Sequence, residues 1–404
     1  MRISKQALIE KRKRRTATIL VTGATGFLGS HLAHCLLASG YHLIVLARSK
    51  NGKSARERVA QVFGWFDPAS PVSTHYTVVE GAIEAPCFGL PGARYQFLRE
   101  TVDEVVHCAA NTAFAERKRA EVEKGNVGTT TNLLAFLTDS HAYFLHHIST
   151  AYVAGKTADG VCREEIEQPA EFNNVYEETK HKSEVLARGF CKDNGIRLSL
   201  YRPTIVYGDS ETGRSTRFNA LYFPVKTVAF LRDLFTKDIS ENGGRKAAPL
   251  GITPASGGRI HMPIRLEKNL KGRLNLIPID FFVRAFYALF EEALDGGIFT
   301  LACDEPVTLD TLVEFVNEKF GIKGIVTTNG NGPVLSKNPL EVMFSAYLEA
   351  YRPYMLDTRH FSGNNARPIL ESKNIVCPPF TYDIFSRCMD YAVSVDWGKR
   401  VFEG

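Results

Sequence analysis

Between Thr18 and Leu32 the chain reads TILVTGATGFLGSHL, and this stretch limits the fold more than any other. The apolar run Ile19, Leu20, Val21 predicts a short strand, and an apolar pattern of helical period begins at Leu28. Between them Gly23, Gly26 and Gly29 predict a tight turn. Glycines allow close backbone approaches that a Cβ would block, so a dinucleotide pyrophosphate can rest on the N–H groups at the helix start. Glycine triplets occur in many loops; the strand before this one and the helix after it make it a nucleotide fingerprint. Thr22, Gly23, Thr25, Gly26, Phe27, Leu28 and Gly29 are the expected contacts.

The next apolar run, Leu43 to Lys50, has the pattern of a strand buried on both faces of a parallel sheet. An enzyme reading the ribose 2′-hydroxyl of NAD wants an acid near its end, about twenty residues past the glycines. This chain has Arg48 there, and no acid before Glu57. A guanidinium pairs with a 2′-phosphate that a carboxylate would repel, so NADPH is the expected cofactor. Arg56 and Arg58 are expected on a solvent-facing helix, which Ser54 and Glu57 open at capping-box spacing.

Further strands are predicted at Tyr76 to Glu80, Glu104 to Cys108 and Tyr143 to Ile148, alternating with helical stretches such as Glu116 to Asp139. That alternation argues for an α/β fold, a doubly wound parallel sheet. The small residues Ala109, Ala110 and Asn111 at one strand end leave room for a flat ring against the backbone. Later helices are expected at Thr308 to Phe320, Leu340 to Ala350 and Tyr382 to Val395, with a surface loop over Ser240 to Gly258.

With 44% hydrophobic and 23% charged residues, the 404-residue chain can bury a large core. Its net charge of +5 is a property of the first fifteen residues, which hold seven basic side chains against Glu10. They read as a solvated basic arm, with weak contact to an anionic membrane surface as a further role and nucleic acid not expected as a partner. The arm lacks the apolar core of a secretory leader, and the apolar stretch Leu274 to Leu294 is broken by charges, so a cytoplasmic protein is expected. The eight cysteines form no CxxC pair, and no metal site is expected.

The strand ending at Ile148 runs into Ser149, Thr150 and Tyr152, and Tyr176 and Lys180 follow on a predicted helix. Four residues apart, these two share a face, so the ammonium is expected to lie beneath the phenol and lower its pKa. A Tyr tuned this way is a proton donor, and a strand-end hydroxyl can hold a substrate oxygen beside it.

With the glycine turn, the STAYVAG segment at 149–155 and the Tyr176/Lys180 pair, the chain resembles an extended short-chain dehydrogenase/reductase. It is most similar to the branch of fatty acyl-CoA reductases of the male sterility type and the thioester reductase domains of carboxylic acid reductases and nonribosomal peptide synthetases. The closer signatures are the Asn126 to Thr129 run, RPTIVYGDSETG at 202–213 and LNLIPIDFFVRAF at 274–286.

The resemblance implies that Thr150 or Ser149 bonds the substrate carbonyl, Tyr176 supplies the proton, and Lys180 tunes Tyr176 and holds the nicotinamide ribose. It implies that Asn126 positions water or Lys180, and that Pro203 and Thr204 flank the nicotinamide. The family's Gly-Asp pair is here Gly81-Ala82, leaving the Ile83 N–H to meet the adenine. Expected segments are a basic arm at 1–16, an NADP-binding Rossmann domain at 17–210 and a smaller, mainly helical substrate-binding region at 211–404, with 274–300 returning to the first domain. The implied reaction is NADPH-dependent reduction of an acyl thioester, donated by acyl-CoA or an acyl carrier protein, to an aldehyde or on to an alcohol. A dehydrogenase/reductase or epimerase acting on a steroid-like or sugar-nucleotide alcohol or ketone is the alternative, and a non-catalytic NADP sensor a third. The apolar stretch Phe218 to Phe235 reads equally as an acyl tunnel or as ordinary core.

Overall fold

A computed structural model of the protein describes residues 3–66, 75–157, 160–166, 168, 169, 171–329 and 336–402. The main strands are β1 (Thr18–Thr22), β2 (His42–Ala47), β3 (Tyr76–Glu80), β4 (Glu104–His107), β5 (Phe144–Ile148), β6 (Arg197–Pro203), β7 (Ile205–Tyr207), β8 (Ile260–Lys268), β9 (Leu276–Pro278), β10 (Gly297–Leu301) and β11 (Ile322–Asn329). Seven of them form one parallel sheet in the order β10-β6-β5-β4-β1-β2-β3.

The helices that matter here are α1 (Lys5–Arg14), α2 (Phe27–Ala38), α3 (Ala55–Phe66), α4 (Gly92–Thr101), α5 (Thr129–Thr138), α6 (Val175–Asp193), α7 (Tyr222–Asn242), α8 (Ile279–Glu292), α9 (Leu309–Phe320), α10 (Pro339–Leu348) and α11 (Tyr382–Ser394). Strand residues alternate between the two faces, as a pleat requires. Ile19 and Val21 pack with α2, α3 and α8, while Leu20 packs with α4 and α5 on the other side. Both faces are covered, which is why these strands carry apolar runs without polar alternation. The fold is a Rossmann-type α/β fold.

The solvated arm is corrected by the structure. Leu8 and Arg12 of α1 are buried, and Arg12 bonds the carboxylate of Glu104 at 2.7 Å and the carbonyl of Phe290. Lys11 pairs with Asp103 at 2.6 Å, and Arg15 with Glu291 at 2.9 Å. Lys11, Arg12 and Arg15 face acids at the start of β4 and on α8, and that charge complementarity docks the segment. Arg2 lies outside the described residues.

Two further differences have local causes. The helical stretch at 116–139 is broken by a π-helical turn, Lys124–Gly128, and α7 extends to Asn242, into the expected loop. Beyond β6 the chain also builds a small sheet of β8, β11 and Thr253–Pro254, against which α7, α9 and α10 pack in a second core. β7 and β9 pair in a two-stranded sheet of their own, and β10 pairs with β6 as the end strand of the main sheet.

Candidate active site

The turn after β1 is shaped by two glycines. Gly23 sits at φ +78°, and a Cβ there would come within 2.6 Å of the Cys108 and Ala109 backbone. At Gly29 it would lie 2.3 Å from the Gly23 carbonyl. Only glycine lets α2 start this close to β1 and β4. Gly26 is the N-cap of α2 and offers no side-chain cap, so the first helical N–H groups are left for a ligand. Gly23, Gly26, Phe27, Leu28 and Gly29 all line a cavity of about 1000 Å³. This cradle fits a dinucleotide pyrophosphate.

Around the same cavity stand Ala110, Asn111, Ser149, Thr150, Tyr176, Lys180, Pro203 and Thr204. Strand ends β4, β5 and β6 therefore deliver their small and hydroxylic residues to one place, together with the first turns of α6. The Thr150 hydroxyl donates to the Pro203 carbonyl at 3.5 Å and lies near enough to Tyr176 to lower its pKa. The Ser149 hydroxyl is buried with no hydrogen-bond partner among the described residues. Lys180 donates to the Ile148 carbonyl at 2.7 Å and lies 3.4 Å from His147 Nε2. Burial lowers the Lys180 pKa to about 8.

The expected electrostatics of the Tyr–Lys pair are corrected. Burial raises the Tyr176 pKa, against a smaller lowering by the Thr150 hydroxyl. The ammonium is engaged by β5 beneath the site, and desolvation of the phenol wins.

Other predicted residues stand behind the cavity wall. Thr22 is buried, bonds His107 Nδ1 at 2.8 Å and receives the Ala109 N–H at 3.4 Å. Asn126 sits in the π-helical turn, and its side chain is bonded to Asn111 and Thr179. Its amide clamps the backbone of Asn111, accepting from the N–H at 2.7 Å and donating to the carbonyl at 3.0 Å, and it reaches Thr179 at 2.9 Å. Ile83 is buried and its carbonyl accepts from Asn132 at 2.8 Å. Arg48 is half-exposed and paired with Glu84 at 2.7 Å.

Arg58 does not simply face solvent: it bonds the Arg48 carbonyl and reaches Thr25 in the glycine turn at 3.1 Å. Burial and the neighbouring charges of Arg48 and Arg217 lower its pKa. Arg58 thus meets Arg48 at the end of β2, and Arg217, on the cavity wall, is near enough for its charge to act on Arg58. Sequence spacing missed Arg217, whose only signal is its basic charge just beyond the GDSETG segment.

That segment proves to be a latch. Asp209 accepts from the Glu211 and Thr212 N–H groups at 3.1 and 2.7 Å, and Ser210 is held by Asp280 at 2.8 and 2.9 Å. Arg387 of α11 donates to the Ser210 carbonyl at 2.5 Å, tying the C-terminal helix to the site's base. Tyr351 and Tyr354 line the cavity, while Tyr347 points outward. Among the described residues no group of His, Cys, Asp or Glu is arranged to hold a metal, and no helix is long and apolar enough to cross a membrane.

Residues 21–286, well over half of the chain, match the family model described as male sterility protein. The chain belongs to the male sterility protein family. It is an extended short-chain dehydrogenase/reductase. Among curated relatives, a linear gramicidin synthase of Brevibacillus parabrevis is 25% identical over 382 residues, covering 92% of this chain but 7% of its own length. Among solved structures, the terminal R domain of the myxalamid PKS-NRPS pathway matches with a TM-score of 0.71 at 20% identity, covering 94% of this chain and 90% of its own. A thiolation-reductase di-domain from an archaeal non-ribosomal peptide synthetase matches at a TM-score of 0.65 and 15% identity, covering 98% and 97%. These structural likenesses place the fold of this family member. Its sequence spans only a small part of the synthetases it resembles.

Proposed function

We propose that this family member uses NADPH to reduce an acyl thioester, carried on CoA or on a carrier-protein phosphopantetheine, to the aldehyde. The observation that carries the reading is the convergence of Ser149, Thr150, Tyr176 and Lys180 on the cavity that the glycine turn opens. Several relatives are synthetases of peptide and polyketide type, others are dTDP-sugar reductases, and one structural relative contains a thiolation domain, which supports a carrier-bound donor.

Gly23, Gly26 and Gly29 would hold the pyrophosphate, Arg48, Arg58 and Arg217 the 2′-phosphate, and Lys180 and Thr204 the nicotinamide side. When bound, the dihydronicotinamide supplies a hydride to the thioester carbonyl carbon. The Thr150 and Tyr176 hydroxyls donate to the oxygen on which charge develops, in a buried setting where such donors count most. Tyr176 passes its proton to that oxygen, and Lys180 stabilises the phenolate left behind. The hemithioacetal then collapses, breaking the C–S bond to give aldehyde and free thiol. A second hydride would carry the aldehyde to the alcohol.

Purified protein, NADPH and a panel of acyl-CoA and acyl-carrier thioesters test this directly. Substrate-dependent NADPH loss with stoichiometric release of thiol is expected. NADPH loss without thiol, on a sugar-nucleotide or steroid-like ketone, would replace it with the alternative extended-reductase reading.

A further inference from the structure

The region matched by the family model ends at residue 286, yet a strap at 354–361 returns to the catalytic hydroxyls from beyond it. One end is tied down where His360–Phe361 pairs in parallel with Val161–Cys162. At the other end the Tyr354 hydroxyl accepts from the side-chain amide of Asn174, the N-cap of α6, at 2.7 Å. The Tyr354 ring also meets Tyr152 edge-on, with ring centres 4.9 Å apart. The strap therefore touches both segments that carry the chemistry, the turn after β5 and the start of α6.

Between these contacts the strap buries a charge. Arg359 is 7% exposed, and its guanidinium lies over the Tyr152 ring at 5.0 Å. Nε and Nη2 pair with the Asp357 carboxylate at 2.9 and 2.7 Å, and Nη1 donates to the Gly155 carbonyl at 2.8 Å. Nη2 also stands 3.8 Å from the carboxylate of Glu177. Each of the last two contacts lands beside a catalytic hydroxyl. Gly155 and Thr150 cap the two ends of one short turn, Ala151–Ala154, and Glu177 directly follows Tyr176 and is fully buried.

Asp357 lies on the strap itself and is enough to neutralise the guanidinium, so the contacts to Gly155 and Glu177 are additional. Burying a charge is costly, and an apolar side chain would pack among Tyr152, Tyr354 and Phe361 without that cost. What a planar fork of donors supplies, and an apolar side chain does not, is direction.

We propose that Arg359 is a positioning residue for the reduction. It holds the Thr150 turn and the first turn of α6 in one register, so that the Thr150 and Tyr176 hydroxyls meet the same carbonyl oxygen. Its side chain is not on the cavity wall, so it acts through those segments. The inference rests on the reductase reading above and adds a residue from outside the matched family region.

Arg359→Ala tests it, with Arg359→Lys and Glu177→Gln as milder variants and cofactor titration by nucleotide fluorescence to verify each fold. With NADPH and the thioester that the parent reduces fastest, Arg359→Ala should lower kcat about 100-fold, the scale of a misplacement of about 1 Å, while KM stays within about twofold. Arg359→Lys keeps the charge but loses the fork, and should recover little of that loss. Ethylguanidinium added to Arg359→Ala should restore the rate saturably, and ethylammonium should not. If Arg359→Ala fails to bind NADPH, Glu177→Gln decides, with kcat expected to fall about fivefold at unchanged KM. Parent-like kcat in the folded variants, or a change confined to KM, overturns the proposal. If the parent turns over no thioester, the reaction reading falls instead, and 3-fluorotyrosine placed at position 176 judges the positioning without turnover. One sharp fluorine resonance in the parent that shifts or splits in Arg359→Lys supports it; a resonance unchanged in position and width overturns it.

Discussion

The ammonium of Lys180 stands 3.4 Å from Nε2 of His147, a histidine fully buried on the strand that also supplies the Ile148 carbonyl. Burial and the lysine's own charge push the His147 pKa well below its ordinary value, so the ring is neutral and Nε2 accepts. Lys180 has three N–H donors; two face these acceptors, and the third is left for the cavity. His147 is thus placed to position Lys180.

The first concerns pH. The Lys180 pKa lies near 8, lowered by burial, so the ammonium is intact below that pH and is lost as pH rises through it. Since the protonated form supports the phenolate, kcat/KM should fall on the alkaline side with an apparent pKa near 8. His147→Leu removes an acceptor that favours the charged form, an interaction of about 1.5 kcal/mol. The alkaline limb should then move down by about one pH unit. A variant that loses rate equally at every pH would show His147 to be only a packing residue.

The second separates the hydroxyls. Tyr176→Phe removes the proton donor and should reduce kcat by at least about 100-fold, while calorimetric titration still detects cofactor binding. Thr150→Val should cost less, because the unpartnered Ser149 hydroxyl lines the same space and can donate in its place. The Ser149→Ala/Thr150→Val double variant should therefore fall well below the product of the single effects. Single-turnover rates with a saturating thioester measure all of these.

Cofactor choice gives the third. Arg58 rests on the glycine turn through Thr25, while Arg48 is partly neutralised by Glu84. Arg58→Ala should weaken NADPH about tenfold or more relative to NADH, the loss of one charge-assisted hydrogen bond. Glu84→Gln should tighten NADPH by freeing Arg48. Dissociation constants for both nucleotides, measured at one ionic strength, decide it. Equal losses for NADPH and NADH in Arg58→Ala would mean that this residue only supports the turn.

Local signals carried far in this chain. The glycine spacing, the apolar strands and the four-residue step from Tyr176 to Lys180 each depend on near neighbours, and each was readable. What escaped depends on distant pairs. Asn126 finds Asn111 across a π-helical turn, a geometry with no sequence period of its own. Arg58 finds Thr25 across 33 residues, and Arg12 finds Glu104 across 92. The β8–β11 pairing joins segments far apart in the chain, and its register shifts between His261 and Ile264. Tuning of Tyr176 was misread for a related reason: helical spacing places the lysine but says nothing of the β5 acceptors that hold it or of how deeply the phenol is buried.

Acid should unfold the protein through its histidines. Burial lowers the pKa of His31 and His146 to about 4 and that of His107 to about 3. Each is neutral in the folded state and binds a proton in the unfolded state below about pH 6.5. The stability they contribute is complete above that pH and is lost as pH falls toward 4, because the unfolded chain takes up protons the fold refuses. Urea melts at neutral pH and at mildly acidic pH should show a lower midpoint at the acidic pH with an unchanged slope.

The docked N-terminal helix makes the sharpest stability prediction. Arg12 and Glu104 are both buried, their contact is 2.7 Å, and Glu104 also bonds His146 at 2.9 Å. The guanidinium lies 3.7 Å from the centre of the Phe290 ring, so its loss removes packing as well as charge. Arg12→Ala leaves the Glu104 carboxylate buried beside a neutral imidazole, and breaking such a pair costs about 3–5 kcal/mol. Replacing both partners, as Arg12→Met with Glu104→Gln, removes the stranded charge and should recover most of that loss. A solvated arm would predict no change in either case. Chemical denaturation of the two variants beside the parent distinguishes these outcomes, and a cost under about 1 kcal/mol for Arg12→Ala, the scale of a surface ion pair, would show that the helix is not docked in solution.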